Sequence, residues 1–219
     1  MPNEATPWWG VLSSAAAPTL LIGGWTLAAA QQDTGFDSLT QTISALAALD
    51  ATNRWIMTAA LAGVGVSHVT TALALRGAAL PGRVVLAGGG VATLLVAALP
   101  LPTVLGDGGS TPHAIVAGIS FGALAVWPAL AMRAHRLSRD ADRGRGAERA
   151  PRPGKGGVPW GLRRKVALTA TVVLLAGVGW FVSDLGREGS QVGLSERVSA
   201  GAQAIWPLLV VLSTRRARR

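Results

Sequence analysis

The stretch from His113 to Met132, HAIVAGISFGALAVWPALAM, holds 20 residues without one Lys, Arg, Asp or Glu. An α-helix of this length rises about 30 Å, which is the thickness of the hydrocarbon core of a bilayer. A strongly basic stretch follows at once, because the residues from Arg133 to Lys165 include eleven Lys and Arg. An apolar run that ends in basic residues is typical of a membrane-spanning helix whose following loop stays in the cytoplasm.

Five more apolar segments accompany this one along the chain. Together they predict six membrane spans, at residues 8–30, 55–75, 84–100, 113–132, 166–185 and 198–214. The connections between them alternate in charge, with 17 Lys and Arg on the side of the loop that follows Met132 and 3 on the opposite side. Because cytoplasmic loops retain basic residues, the pattern predicts a multi-pass protein of the plasma membrane with both termini in the cytoplasm.

The composition predicts one membrane domain, residues 1–219, without a separate soluble domain. Half of the residues are apolar and 14% are charged. The stretch 133–164 is rich in Arg, Gly and Pro, and we expect a disordered cytoplasmic loop there. Membrane lipids rather than nucleic acid are the expected partners, because orientation and anionic headgroups explain the net charge of +9. With no cysteine in the chain, disulfides and thiolate sites are excluded.

The longest outer connection contains a patterned segment. Four apolar residues recur there at helical spacing with polar side chains between them: Leu39, Ile43, Leu46 and Leu49. The fold we predict is therefore an all-α polytopic bundle of about six transmembrane helices, with a short amphipathic helix on its outer face.

Polar side chains at the rims of the spans are the first candidates for chemistry, because such groups are costly near lipid. Seven of the eleven acids lie on the outer side. Asp37 opens the patterned segment, Asp184 ends span five and Glu196 precedes span six. We take these three as candidate catalytic acids, and Arg54 and His113 at the same rim as candidate substrate contacts. The alternative interpretation is that they are helix caps and solvated loop charges.

Tryptophans form the second group of candidates, since the chain has eight of them, three phenylalanines and no tyrosine. Trp25, Trp127, Trp180 and Trp206 lie within spans, and Trp55 begins one. An indole face attracts cations, so a pocket lined by several indoles, with an acid at its rim, could stabilise a developing carbocation. The alternative is that these side chains pack against neighbouring helices or lie in the interfacial belt.

The histidines do not predict a metal or haem site. His68 lies 13 residues into span two, a rise of about 20 Å, whereas His113 lies at the outer rim. Two axial ligands must face each other at one depth, so we expect no metal and no cofactor. The ring of His68 is expected to bind a neighbouring hydroxyl or carbonyl.

Three stretches resemble a known family. From Phe36 to Leu46, FDSLTQTISAL, and from Asn53 to Thr58, NRWIMT, the chain resembles a bacterial integral-membrane family known as domain of unknown function 998. Residues 193–197, GLSER, are similar to it as well. The resemblance extends over nearly all of the chain and implies a compact bundle of about six helices. It carries no activity that can be transferred, and it marks three positions as recurrent in such proteins: Asp37, Arg54 and Glu196.

The leading functional hypothesis is a membrane protein with a cavity for a lipid-soluble small molecule, most specifically a terpene cyclase that protonates a prenylated substrate. Membrane-bound terpene cyclases are similar in size, span content, rim acids and tryptophans. Asp37 or Glu196 would donate the proton, with Asp184 next, and burial would have to raise the pKa of the donor. Pairing with Arg54 or Arg197 would oppose this.

The alternatives are a small transporter and a non-catalytic lipid-binding or accessory protein. In the accessory protein, the glycine-rich faces of spans two and three would be an association surface.

Overall fold

The computed structural model describes residues 6–33, 35–104, 109–132 and 157–217. Within these residues the chain forms six long α-helices: α1 (Trp8–Ala29), α2 (Trp55–Ala74), α3 (Leu80–Ala98), α4 (Thr111–Ala131), α5 (Arg164–Asp184) and α6 (Val192–Arg216). Two short 3-10 helices, Ser44–Ala47 and Trp160–Leu162, lie in the connections. The described residues contain no strand, and the prediction of an all-α polytopic bundle is confirmed.

Five of the helices, α1 to α5, are long and apolar enough to cross a membrane. The sixth, α6, has 25 residues but includes Glu196 and Arg197. Large apolar side chains point away from the bundle on several helices, and Val66, Ile115 and Val172 are each more than half exposed. Apolar surface of this extent indicates a lipid environment, so the chain is a multi-pass membrane protein.

The helices form a closed ring in chain order. Each helix packs against the next from α1 to α6, and α6 returns to pack against α1. Hydroxyl pairs connect separate parts of the ring, as hydrogen bonds between membrane helices often do. Their oxygen–oxygen distances are 2.7 Å for Thr6–Thr214, 2.9 Å for Ser13–Thr71 and 2.8 Å for Thr93–Ser120.

Glycines allow neighbouring helices to approach closely. A Cβ atom on Gly65 of α2 would lie 2.7 Å from the carbonyl oxygen of Gly90 on α3, and a Cβ on Gly90 would lie equally close to the oxygen of Gly65. Gly89 packs in a similar way against Leu124 of α4. Gly65, Gly89 and Gly90 therefore face neighbouring helices inside the bundle rather than another protein, whereas a Cβ on Gly88 would meet nothing within 4 Å.

The helices follow the predicted spans closely, except at the starts of α3 and α6. These helices begin four and six residues before the predicted spans 84–100 and 198–214. Both extensions contain charged side chains that bind backbone groups. Arg83 donates to the carbonyl oxygens at the end of α2, and Glu196 accepts from the outer segment, so polar residues are tolerated there.

The outer segment 37–49 is not one continuous amphipathic helix. It is helical only over Ser44–Ala47, and turns make up most of the rest. The Asp37 carboxylate accepts the backbone N–H of Leu39 at 2.9 Å, a local bond that favours a turn over a helix. Ile43 is buried, whereas Leu39 is about half exposed. The apolar residues therefore do not share one face.

The predicted disordered loop 133–164 lies mostly outside the described residues. Its described end contains the 3-10 helix Trp160–Leu162. The side chain of Leu162 is buried, and the ring of Trp160 meets that of Trp206 edge-on, with 6.0 Å between the ring centroids. Because these apolar side chains pack against α6, regular structure begins earlier than the composition predicts.

Candidate functional site

A cavity of about 60 Å³ lies in the interior of the helix ring. Its walls come from α1, α2, α3, α4 and α6, together with the outer segment. Ten of the sixteen lining residues are apolar. The other six are polar: Ser44, His68, Thr93, Ser120, Glu196 and Gln203. A mostly apolar cavity with a few convergent polar groups is the usual form of a small-molecule site.

Glu196 lies in the outer turns of α6, ahead of the predicted span 198–214. Its side chain is 4% exposed, and one carboxylate oxygen, Oε2, accepts the backbone N–H of Ile43. Burial raises the pKa of Glu196 to about 7, while hydrogen bonds from Ile43 and Ser44 and the charge of Arg197 act in the opposite direction. Near neutral pH this carboxyl group is therefore present in both its protonated and its charged form.

Arg197 holds the outer segment against α6. Its Nη1 donates to three carbonyl oxygens, those of Ser38 and Gln41 at 2.7 Å and that of Gly193 at 3.0 Å. Burial lowers the pKa of Arg197, and the nearby acids Glu196 and Asp37 oppose this shift. The guanidinium makes its hydrogen bonds to backbone carbonyls rather than to the Glu196 carboxylate.

His68 faces the cavity from the inner half of α2. Its side chain is 1% exposed, and neither Nδ1 nor Nε2 has a hydrogen-bond partner among the described residues. Two hydroxyls of the cavity wall, those of Thr93 and Ser120, bind each other, and the Thr93 hydroxyl also reaches the Gly89 carbonyl oxygen at 2.9 Å. The prediction that a neighbouring hydroxyl or carbonyl binds the His68 ring is therefore wrong.

Gln203 connects two walls of the cavity. Its side chain is 2% exposed, and its Nε2 donates to the carbonyl oxygen of Phe121 at 3.0 Å. This bond joins α6 to α4 across the ring. The amide thereby fixes the position of α6 in the cavity wall.

Of the three acids predicted to be catalytic, Glu196 is the one that lines the cavity. Asp37 is exposed on the outer segment, where its carboxylate binds the backbone N–H of Leu39 at 2.9 Å and the hydroxyl of Thr40 at 3.2 Å. Asp184 is 9% exposed at the end of α5, the helix that contributes no lining residue. Of the three, Asp37 and Asp184 therefore do not line the cavity.

Arg54 and His113 bind groups outside the cavity. The guanidinium of Arg54 lies over the ring of Trp55, 4.3 Å from its centroid, and Trp55 is 67% exposed. The Nδ1 atom of His113 lies 2.7 Å from the carbonyl oxygen of Leu99. These contacts stabilise the outer rim, and the structure does not bring them to the cavity.

The tryptophans predicted to line a pocket pack elsewhere. Trp127 is 1% exposed in an apolar cluster that Trp206 also contacts. Trp25 packs against the other apolar cluster, and Trp180 is 41% exposed. Among the sixteen lining residues the aromatic ring is that of Phe121, and no indole is present.

Most polar groups of the cavity were not candidates from the sequence. His68 and Gln203 interrupt apolar stretches, which is a detectable signal, whereas the hydroxyls of Ser44, Thr93 and Ser120 are common in membrane helices. These residues come from five separate parts of the chain. Only the rotation of each helix, which packing determines, brings them to one cavity.

No curated protein and no solved structure matches this chain. A family model does match it, with the description "Protein of unknown function (DUF998)", over residues 14–213. The match spans all six helices except the first turns of α1 and the last turn of α6. The chain therefore belongs to the DUF998 family.

Proposed function

We propose that the central cavity binds the polar end of a lipid-soluble small molecule within the membrane. The observation that carries this proposal is the convergence of six polar side chains on an apolar cavity inside the helix ring. Polar groups inside a membrane bundle are expensive, and a ligand that uses them offsets this cost. The proposal covers binding and does not require turnover.

A substitution that fills the cavity tests the proposal. Ala200 lines the cavity on α6, and Ala202 on the same helix is exposed. Ala200→Leu should reduce the small molecules that co-purify with the full chain at least tenfold, measured by mass spectrometry of solvent extracts. Ala202→Leu is the matched control and should retain them. Equal amounts of the same molecules in both variants would contradict the proposal.

A second candidate is acid-initiated cyclisation of a prenylated substrate, the reaction of a terpene cyclase. One observation favours it, the buried carboxyl group of Glu196 with its raised pKa, as a proton donor requires. The proton would add to a carbon–carbon double bond and leave a tertiary carbocation, which a second double bond attacks; loss of a proton from carbon would then restore the acid. Phe121, rather than a tryptophan, is the aromatic ring in the cavity wall.

Two acid variants test this second candidate. Glu196→Gln should abolish conversion of a prenylated phenol in isolated membranes. Because the cyclic product is an isomer of the substrate, the two are separated by chromatography before they are detected by mass spectrometry. Asp37→Asn is the control and should keep the wild-type rate, since Asp37 lies outside the cavity. A wild-type rate in Glu196→Gln would exclude the cyclase.

A further inference from the structure

The imidazole of His68 is a buried group whose hydrogen-bonding capacity the fold leaves unused. The side chain is 1% exposed and faces the cavity. Neither of its ring nitrogens has a partner among the described residues. A neutral imidazole has one N–H donor and one lone pair, and burying both without partners is costly. A polar group placed in the cavity would give one of these nitrogens a partner.

The neighbouring hydroxyls do not bind the His68 ring, and each of them has another partner. On α2 itself, Ser67 donates to a carbonyl of its own helix and Thr71 binds a hydroxyl of α1. On α3 and α4, Thr93 and Ser120 bind each other at 2.8 Å. These four hydroxyls therefore bind groups other than His68, and the two ring nitrogens of His68 remain available to a ligand.

The charges of the cavity limit the kind of ligand. Among the described lining residues Glu196 is the one acid, and there is no Lys or Arg. Glu196 lies in the outer turns of α6, whereas His68 lies 13 residues into α2, about 20 Å along that helix. An anion would find no positive side chain in the lining, and a cation would be bound by Glu196 near the outer end rather than by the imidazole.

We propose that His68 is the hydrogen-bonding anchor of the cavity, and that its ligand is a neutral molecule with a hydroxyl or carbonyl oxygen on an apolar chain. This inference rests on the proposed function, because it names the ligand class for the same cavity. A cavity of about 60 Å³ has room for roughly five water-sized groups. It therefore accommodates the polar end of such a molecule and a few of its carbons, and short-chain probes suffice to test it.

Nuclear magnetic resonance of the histidine ring nitrogens tests the inference directly. The full chain has three histidines, so labelling it with ¹⁵N-histidine in lipid nanodiscs gives few signals. Addition of 1-hexanol or 2-hexanone should shift the ring resonances of His68, and hexane at the same concentration should not. His113, whose Nδ1 lies 2.7 Å from the Leu99 carbonyl oxygen, is the internal control and should stay unchanged.

Two variants of His68 measure the same contact by affinity. His68→Leu removes both hydrogen-bonding atoms, whereas His68→Gln keeps a donor and an acceptor. Binding of 1-hexanol is measured by equilibrium dialysis, with the value for Ala200→Leu subtracted. It should fall about tenfold in His68→Leu and stay within about threefold of wild type in His68→Gln. If His68→Leu does not fold, His68→Gln and the wild-type resonance shifts decide the question.

Three outcomes would overturn the inference. One is an equal response of the His68 resonances to hexane and to 1-hexanol, and another is unchanged 1-hexanol affinity in His68→Leu. The third is loss of affinity for 1-hexanol in Glu196→Gln but not in His68→Leu, which would place the anchor at the outer end of the cavity. In each case, co-purified molecules that Ala200→Leu removes would still support the proposed function.

Discussion

Glu196 and Asp37 show how surroundings give two outer carboxyl groups different properties. The Asp37 carboxylate is exposed and binds N–H and hydroxyl groups of its own turn. Glu196 is 4% exposed, and burial raises its pKa to about 7. Ile43 and Ser44 of the outer segment cover Glu196 and also supply the hydrogen bonds that limit this shift.

The raised pKa of Glu196 predicts a pH dependence of stability. Between the ordinary value of 4.5 and about 7, the folded chain retains a proton that the unfolded chain releases. The free energy of unfolding should therefore fall by about 3 kcal/mol as the pH rises through this window. The thermal unfolding midpoint in detergent, measured from pH 5 to pH 8, should decrease for wild type and stay nearly constant for Glu196→Gln. An equally steep decrease in Glu196→Gln would contradict the assignment, and Asp37→Asn should behave as wild type.

At the residue scale, one of the three candidate acids predicted from the sequence, Glu196, lines the cavity. Position relative to the spans indicates which side of the membrane an acid faces, but it does not indicate burial. Glu196 and Asp37 differ because Ile43 folds over one and not over the other. The sequence shows His68 and Gln203 as polar residues in apolar stretches. It does not show that they line the same cavity, because charge and hydropathy do not determine the rotation of each helix about its axis.

At the scale of elements, the outer segment is fastened to the start of α6 by consecutive residues of that helix. The Leu194 N–H donates to the Leu39 carbonyl oxygen at 3.0 Å. Arg197 binds two further carbonyls of the segment, and Glu196 binds one of its N–H groups. Gly193 has no room for a side chain, because a Cβ would collide with the carbonyl oxygens of the same segment. Two of the stretches that resemble the family, 36–46 and 193–197, are therefore in direct contact.

Gly193→Ala should detach this outer segment. The added methyl group would meet the backbone oxygens of Ser38 and Gln41, which cannot move without breaking their bonds to Arg197. Loss of about two hydrogen bonds would weaken the attachment by about 2 kcal/mol. Hydrogen–deuterium exchange of peptides from residues 37–49 should accelerate roughly thirtyfold. Gly179→Ala on α5, where a Cβ meets nothing within 4 Å, is the control, and equal exchange in the two variants would contradict this role.

The helices themselves were predictable because an apolar run long enough to cross a bilayer has few other folded forms. Their polar ends were less predictable. The start of α6 at Val192 is hidden by Glu196 and Arg197, whose partners lie about 155 residues earlier in the chain. The turns of the outer segment are bound by these same residues of α6. Hydropathy predicts which residues face lipid. The polar groups at these helix ends bind another part of the protein instead, and hydropathy does not detect such contacts.

At the scale of the whole molecule, the ring of helices is charged asymmetrically. The 17 Lys and Arg on one side and the 3 on the other should orient it with both termini in the cytoplasm. Both termini lie on one side if α6 crosses the membrane together with the five helices α1 to α5. The membrane that contains the protein and the direction of insertion are predictions from charge, and cysteine labelling tests the direction.

The absence of native cysteine makes single-cysteine labelling direct. Glu188→Cys, in the connection between α5 and α6, should react with a membrane-impermeant maleimide added to intact cells. Gly77→Cys, in the connection between α2 and α3, should react only after the cells are lysed. The measurement is a mass shift on a denaturing gel, and the reverse pattern would show the opposite orientation.

The return of α6 to α1 makes the order of the helices cyclic. The Thr6 and Thr214 hydroxyls, at the two ends of the helix series, are 2.7 Å apart, so a hydroxyl pair connects the two ends of the series as well. A circular permutant could join these ends by a short linker and open the chain at Gly77, between α2 and α3. It would keep every pair of packed helices and lose only the covalent connection between α2 and α3. The packing of neighbouring helices around the ring, rather than the position of the break between first and last helix, therefore defines the fold.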